Sequence, residues 1–291
     1  MRTAFVLSGG ANLGAAQVGM LALDAADIQP DLVVGTSVGA INGAWVATRQ
    51  PLTGLAEVWR GLRRGDVFSA DPLSGFLGFV GRRDHLVSGR GLRQLLERHP
   101  RFTRPEDAAV PFHVVAADVL TGVDVRLSSG PAVEAILASA AIPGVLPPIE
   151  VAGRALMDGE VVNNTPISHA VALGADTVWV PATGYACALT EPRRSALGMA
   201  LHAVILVVHQ RLTLNIEQYA GLVDLRVVPP LCPIAVPPTE FSQAALLIDR
   251  AQAHTRDWLA RGAARGRKAN PVDLGRHGPA ARLTGDWASA G

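Results

Sequence analysis

The sequence has only two cysteines, Cys187 and Cys232, almost no net charge and no long apolar run. Each shortage excludes something. The cysteines form no C-x-x-C pair and stand near no cluster with metal-ligand spacing, so they read as two buried thiols, with no metal site and no need of an oxidising compartment. Formal net charge is +1 at pH 7, which leaves no global attraction to nucleic acid, to an anionic membrane or to an acidic substrate. Any charged partner is met locally, and no nucleic-acid partner is expected. The apolar run from Ala4 to Leu7 is too short for a signal-peptide core. The longest later run, Ala203 to Val208, falls short of the roughly 20 residues of a spanning helix. The expectation is a cytoplasmic protein, at most peripheral to membranes. The chain has eight histidines, and none stands in a recognisable catalytic motif.

What is present is a substantial apolar complement. With 291 residues, 49% of them hydrophobic, the chain is long enough for one large domain around a sizeable core. Short apolar runs bounded by Gly, Asp or Pro recur at residues 3–7, 32–34, 112–116, 123–127, 177–181 and 225–228, and read as buried strands. Segments of helical period lie between many of them, including residues 15–25, 38–48, 91–99, 166–173, 197–219 and 242–260. This alternation predicts an α/β layered fold with a mostly parallel central sheet. No internal repeat and no second domain boundary is visible, so the domain is placed at residues 1–261. Residues 262–291 lack periodicity and read as a flexible tail. The glycine-rich stretch from Gly61 to Gly91, carrying Phe68, Phe76, Phe79 and Val80, reads either as a cap over an apolar site or as an ordinary surface insertion.

Chemistry concentrates in three segments. In DLVVGTSVGAINGAW, from Asp31, an apolar strand runs through Gly35-Thr36-Ser37-Val38-Gly39 into a helical segment, which is the nucleophile-elbow arrangement. Gly35 and Gly39 are explained by crowding at a tight strand-to-helix turn. Ser37 then sits at a helix N-terminus, where free N–H groups favour developing negative charge. In LSGGANLG, Leu7 to Gly14, another strand opens through glycines into a helix, so the N–H groups of Gly9, Gly10 and Ala11 are candidates for an oxyanion hole. A dinucleotide loop has similar ingredients, but it requires G-x-G-x-x-G and an acid ending the second strand, neither of which is present. The third segment is MDGEVVNNTPI, where Asp158-Gly159 alone signals only a turn.

In combination and in this order, the glycine-rich loop from Gly9 to Gly14, the elbow Ser37 and Asp158-Gly159 resemble the patatin-like phospholipase family. The approach ASAAIPGVLPPI, Ala138 to Ile149, resembles it too, and the likeness covers roughly residues 3–180. The resemblance implies a three-layer α/β/α fold and a Ser37/Asp158 dyad working without histidine. It also implies no metal or other cofactor, and a lipid or related acyl ester as substrate. Three positions depart from the family pattern: Ala11 at the loop's third glycine, Leu13 at its basic position and Glu160 after Asp158-Gly159. The loss of the cation at position 13 removes a contact for an anionic head group or a stabiliser of the loop. Glu160 reads as a solvated turn residue; pointing inward, it would instead repel the Asp158 carboxylate and raise its pKa.

Two other readings remain open on the residues alone. An α/β-hydrolase esterase with a Ser/His/Asp triad would make His202, His209 or His254 essential, although its elbow normally follows several strands. A silent lipid-binding protein on the same fold is the other. Acyl transfer to an acceptor besides water uses the same acyl-enzyme.

Overall fold

The computed structural model describes residues 1–68, 72–99, 102–184, 187, 194–234, 236 and 240–263. The expected tail lies outside the described residues from position 264 onward. The strands are β1 (Thr3–Leu7), β2 (Leu32–Thr36), β3 (Phe112–Asp118), β4 (Asp124–Leu127), β5 (Ile149–Val151), β6 (Arg154–Asp158), β7 (Thr177–Pro181) and β8 (Asp224–Val228). The helices are α1 (Gly14–Met20), α2 (Val38–Ala47), α3 (Leu52–Gly61), α4 (Arg64–Val67), α5 (Pro72–Phe79), α6 (Arg90–Arg98), α7 (Ala132–Ser139), α8 (Glu160–Asn163), α9 (Ile167–Ala172), α10 (Ala196–Tyr219) and α11 (Ala244–Trp258).

The strands form one sheet in the order β5-β6-β3-β2-β1-β7-β8, with β4 also paired to β3. Strands β3, β2, β1, β7 and β8 run parallel, while β4 and β6 are antiparallel to β3. The parallel strands are mostly apolar and buried because helices cover both faces. Side chains of a strand alternate between faces, and the packing follows that period of two. Phe5, Leu7, Val33, Phe112 and Val114 enter a core with α1, α2, α3, α6, α7 and α11. Ala4, Val6, Val34, Val115, Val178 and Val180 face the opposite way, onto α9 and onto Leu212 and Ile216 of α10. This is the three-layer α/β/α arrangement.

The register of β3 brings two distant segments together. β2 pairs with β3 as far as Thr36↔Val115, β6 pairs with it from Ala116↔Asp158 to Asp118↔Leu156, and β4 pairs across Val114 to Ala117. A strand has only two edges. Because β4 overlaps both of the others, it occupies one edge alone, and β2 and β6 share the second edge end to end. The C-terminal ends of β2 and β6 therefore meet head-on at Thr36 and Asp158.

Two sequence expectations are corrected. The cysteines are not separate thiols: Cys187 and Cys232 form a disulfide, with their Cα atoms 6.3 Å apart, that ties the segment after β7 to the segment after β8. Residues Gly198–Tyr219 of α10 are long and apolar enough, by length and composition, to cross a bilayer, a property hidden when only uninterrupted apolar runs are counted. Val208, Leu212 and Ile216 of this helix are buried, which makes it a layer of the fold.

Candidate active site

Ser37 ends β2 and caps α2 with φ 54° and ψ −126°, a left-handed backbone rare for a residue with a Cβ. The elbow holds this conformation because its neighbours leave no slack. A Cβ on Gly39 would meet the carbonyl oxygens of Leu7 and Ser8, and one on Gly35 would meet the carbonyl of Gly39. The Ser37 N–H donates to Ser139 Oγ at 2.7 Å, and Ser139 Oγ–H donates to the Val115 carbonyl at 2.6 Å. Ser139, at the end of α7, thus clamps the elbow to β3, a role that the sequence does not signal.

Because β2 and β6 meet end to end, Ser37 Oγ donates to Asp158 Oδ2 at 2.6 Å. Asp158 Oδ1 accepts the Glu160 N–H at 2.8 Å. Ser37 and Asp158 are only 4% and 1% exposed, so bulk water does not compete for this contact. A Cβ on Gly159 would collide with the Val115 carbonyl, which explains the glycine directly after the aspartate.

Glu160 is not a solvated turn residue. Its carboxyl turns inward beside Asp158: a Cβ added to Gly9 would lie 3.3 Å from Glu160 Oε2. Burial first, and then the neighbouring Asp158 carboxylate, push the Glu160 pKa up. Burial likewise pushes Asp158 up, to about 7, against the opposing hydrogen bonds from Ser37 and the Glu160 amide. Raised carboxyl pKa values mean that the folded state binds more protons than the unfolded chain above about pH 4. Stability from this pair is therefore complete below the ordinary carboxylate range and is lost as pH rises through about 7. Thermal unfolding should show Tm falling between about pH 5 and 8, with a shallower fall in Glu160→Gln. An identical slope in the variant would remove Glu160 from the account.

The loop from Gly9 to Ala11 lies against the dyad: a Cβ on Gly9 would lie 3.2 Å from the Ser37 Cβ. The Gly9 N–H donates to the Asn164 carbonyl at 3.3 Å, leaving the Gly10 and Ala11 N–H groups without an acceptor among the described residues. The Val38 N–H, at the first turn of α2, is likewise without an acceptor among the described residues. Gly10 has φ 149° and Ala11 has φ 49°. At position 11 the family's glycine would avoid a penalty of about 1–2 kcal/mol. Thr183 Oγ1 holds the loop by donating to the Gly9 carbonyl, and a Cβ on Gly10 would run into Thr183. A Cβ on Gly14 would strike Val38 and Trp59, so the loop packs directly against α2.

Leu13 is buried in the core beside α1. Its side chain also borders the space beside Asp158 and Glu160, and Leu13→Arg would place a cation at this largely buried position and destabilise the fold by several kcal/mol. Asp118 has a structural role: the Thr121 amide and Arg154, with the Leu120 amide, hold its pKa down to about 2.

Two cavities open at the dyad. A narrow apolar one begins at Ser37 and Ala11 and runs between α2, α3 and α6 past Ile41, Ala44, Leu92 and Leu95 to Thr48 and His99. A wider one of about 540 Å³ is bounded by Asp158, Glu160, Asn164 and Thr183 and by Leu201, Ile205 and Val208 of α10. Phe68 lines both and packs on Phe241 with ring centroids 6.3 Å apart. Phe76 and Phe79, from the same glycine-rich stretch, are exposed. The stretch thus contributes one aromatic to the site and turns others outward.

Among the described residues, the hydrogen bond of the Ser37 hydroxyl goes to Asp158 and not to a histidine. His169 pairs with Asp124 at 2.8 Å and His113 with Ser128 at 2.7 Å, while His202 and His209 line the wider cavity. Asn163, whose role is not evident from sequence beyond holding the loop, accepts from Thr36 Oγ1 through its carbonyl at 2.9 Å and donates to Asp124 at 2.7 Å.

The family model described as patatin-like phospholipase matches residues 5–171. Lysophospholipase nte1 of Aspergillus terreus is 30% identical over 185 residues, covering 62% of this chain and 12% of that protein. Patatin-like phospholipase domain-containing protein 6 of Mus musculus is 29% identical over 178 residues, covering 60% of this chain and 13% of that protein. An NTE family protein of Mycobacterium bovis is 32% identical over 176 residues, 55% of this chain and 27% of its own length. Among solved structures, VipD from Legionella pneumophila superposes with TM-score 0.46 at 14% identity, over 89% of this chain and 67% of that one. The chain therefore spans only about an eighth of the length of the first of these relatives. With the family match extending over more than half of its residues and taking in both Ser37 and Asp158, the chain belongs to the patatin-like phospholipase family.

Proposed function

We propose that the protein is a serine lipid acyl hydrolase that cleaves carboxylic esters through Ser37 as nucleophile and Asp158 as base. The observation that carries this reading is the 2.6 Å hydrogen bond from Ser37 Oγ to Asp158, made at the junction of two largely apolar cavities. Asp158 takes the Ser37 proton as Oγ attacks the ester carbonyl carbon, and the N–H groups of Gly10, Ala11 and Val38 receive the oxyanion. Collapse of the tetrahedral species breaks the ester C–O bond, and the proton on Asp158 passes to the leaving alkoxide. Water, deprotonated by Asp158, then attacks the acyl-enzyme and releases the fatty acid.

An ordinary aspartate is a weak base for a serine hydroxyl. Burial raises Asp158 to about 7 and so makes it a better proton acceptor. Because the base works ionised, kcat/KM should rise with pH through about 7. Burial, not a neighbouring charge, is what raises Asp158, so Glu160→Gln should leave that limb in place. A limb moved clearly to lower pH in the variant would mean that Glu160 is ionised where Asp158 titrates.

The relatives named lysophospholipases support a lipid substrate, and p-nitrophenyl esters together with a lysophospholipid in vesicles provide the test. Release of p-nitrophenol and of fatty acid is expected. No release from any of them, by folded protein, would contradict the reading.

Peripheral contact with a lipid surface fits the outer face of α10. Met199, Leu206, Val207 and Leu214 are all exposed there, Val207 by 71%, while Leu201, Val204, Ile205 and Val208 line the wider cavity. Fully burying each such side chain contributes about 1.5–3 kcal/mol. The double variant Val207→Asp, Leu214→Asp should therefore reduce cosedimentation with phospholipid vesicles at least tenfold. Undiminished cosedimentation would exclude α10 as the contact.

A further inference from the structure

We propose that the two cavities have divided roles, and that the narrow one along α2 receives the acyl chain that is cleaved. This rests on the reading of Ser37 as the nucleophile. Ser37, Ile41, Ala44 and Thr48 are spaced four, three and four residues apart, which places them on one stripe of α2. All four line the narrow cavity. The helix thus carries the nucleophile at its head and an apolar track leading away from it.

The wall of that track is apolar between Ser37 at its head and Thr48 and His99 at its far end, whereas the wider cavity carries Asp158, Glu160, Asn164, Thr183, His202 and His209 on its wall. A methylene chain needs no hydrogen-bond partner and is best placed where none is left unsatisfied. The alcohol portion of an ester carries polar atoms and a leaving oxygen that must meet the proton on Asp158. That requirement assigns it to the cavity where Asp158 is exposed to ligand.

The track also limits the length of chain. From Ser37 to Thr48 the helix rises about 16 Å. An extended chain of single bonds advances about 1.2 Å per bond, as a polypeptide does over its three bonds per residue, so about 13 bonds fill that distance. Accessible volume gives a second bound. A water needs about 10–15 Å³ of it, so the cavity's 100 Å³ holds about seven to ten water-sized groups, the size of a methylene. Acyl chains of medium length are the expected fit.

The test uses p-nitrophenyl esters from acetate to palmitate with wild type, Ala44→Phe, Leu95→Trp and Ile205→Trp. Ala44 lies seven residues along α2 from Ser37, so a ring there closes the track after about eight bonds. Wild-type kcat/KM should rise about fourfold per methylene and level off between about eight and twelve carbons. In Ala44→Phe or Leu95→Trp the decanoate-to-acetate ratio should fall at least tenfold. Titration calorimetry with decanoate reads the same track without turnover, and binding should weaken by a similar factor in those two variants. The proposal is overturned if folded Ala44→Phe and Leu95→Trp keep the wild-type ratio and the wild-type affinity for decanoate. It is equally overturned if Ile205→Trp, in the wider cavity, shortens the preferred chain in their place. A wild type that cleaves no ester, but whose decanoate binding is lost in Ala44→Phe, would reject the hydrolase reading and leave the acyl track standing.

Discussion

Ser37→Ala and Asp158→Asn are each expected to lower kcat for ester hydrolysis by about 10⁴-fold or more, and the double variant by little more than either alone, because residues acting as a unit fail singly. The physical reason is the single proton path between them. Ser37 Oγ makes its hydrogen bond to Asp158, and both groups are buried too deeply for bulk water to replace the carboxylate. Asparagine keeps the shape of Asp158 and its acceptor oxygen but cannot take a proton. His169→Ala, His202→Ala, His209→Ala and His254→Ala should each retain activity within about tenfold, since general base catalysis by a histidine would require it to touch the hydroxyl. Initial rates on a medium-chain ester, with circular dichroism to confirm folding, separate the outcomes. A folded histidine variant as inactive as Ser37→Ala would replace the dyad with a triad.

The second large effect is expected at Gly39. A side chain there meets the backbone carbonyls of Leu7 and Ser8, which cannot rotate aside as the end of a flexible side chain can. Gly39→Val should destabilise the fold by about 3 kcal/mol or more. It should also cost about 10² to 10³ in rate even where the variant folds, because Leu7 and Ser8 lead directly into the oxyanion loop. Gly61→Ala is the comparison. An added Cβ at Gly61 meets nothing within 4 Å, and alanine suits the end of α3, so its stability should stay within about 1 kcal/mol of wild type. Thermal unfolding and hydrolysis rates measured on both variants give the contrast, and equal behaviour would mean that the elbow does not depend on this close approach.

The elbow and the loop before α1 were legible in sequence because each is local: a strand, a glycine turn and a helix in one continuous stretch. The continuous apolar runs of β1, β2 and β3, buried on both faces, were legible for the same reason. What lay beyond reach depended on which edges are shared. β5 and β6 lack apolar runs, their residues being largely partly or fully exposed, and nothing local says that β6 continues the edge of β3 that β2 leaves. That sharing is what brings Asp158 to Ser37 across 121 residues of sequence.

Side-chain direction was the other obstacle. Glu160 beside a turn looked solvated, and Leu13 at the family's basic position looked like a change in head-group contact; both border the cavity beside Asp158, Leu13 from a largely buried position. Ser139 was hidden within an alanine-rich run, where a serine attracts no notice until its hydroxyl is found on the Ser37 amide. The two cysteines stand in no spacing motif, so only the fold could show that they meet.

The central claim is that Ser37 is the group that becomes acylated with Asp158 as its base. The direct measurement is covalent trapping with an alkyl fluorophosphonate, followed by mass spectrometry of the intact protein and of its peptides. The account predicts one adduct per chain, on the peptide containing Ser37, absent in Ser37→Ala and formed at least 10²-fold more slowly in Asp158→Asn. Stoichiometric labelling at another residue, or labelling undiminished in folded Ser37→Ala, would contradict it.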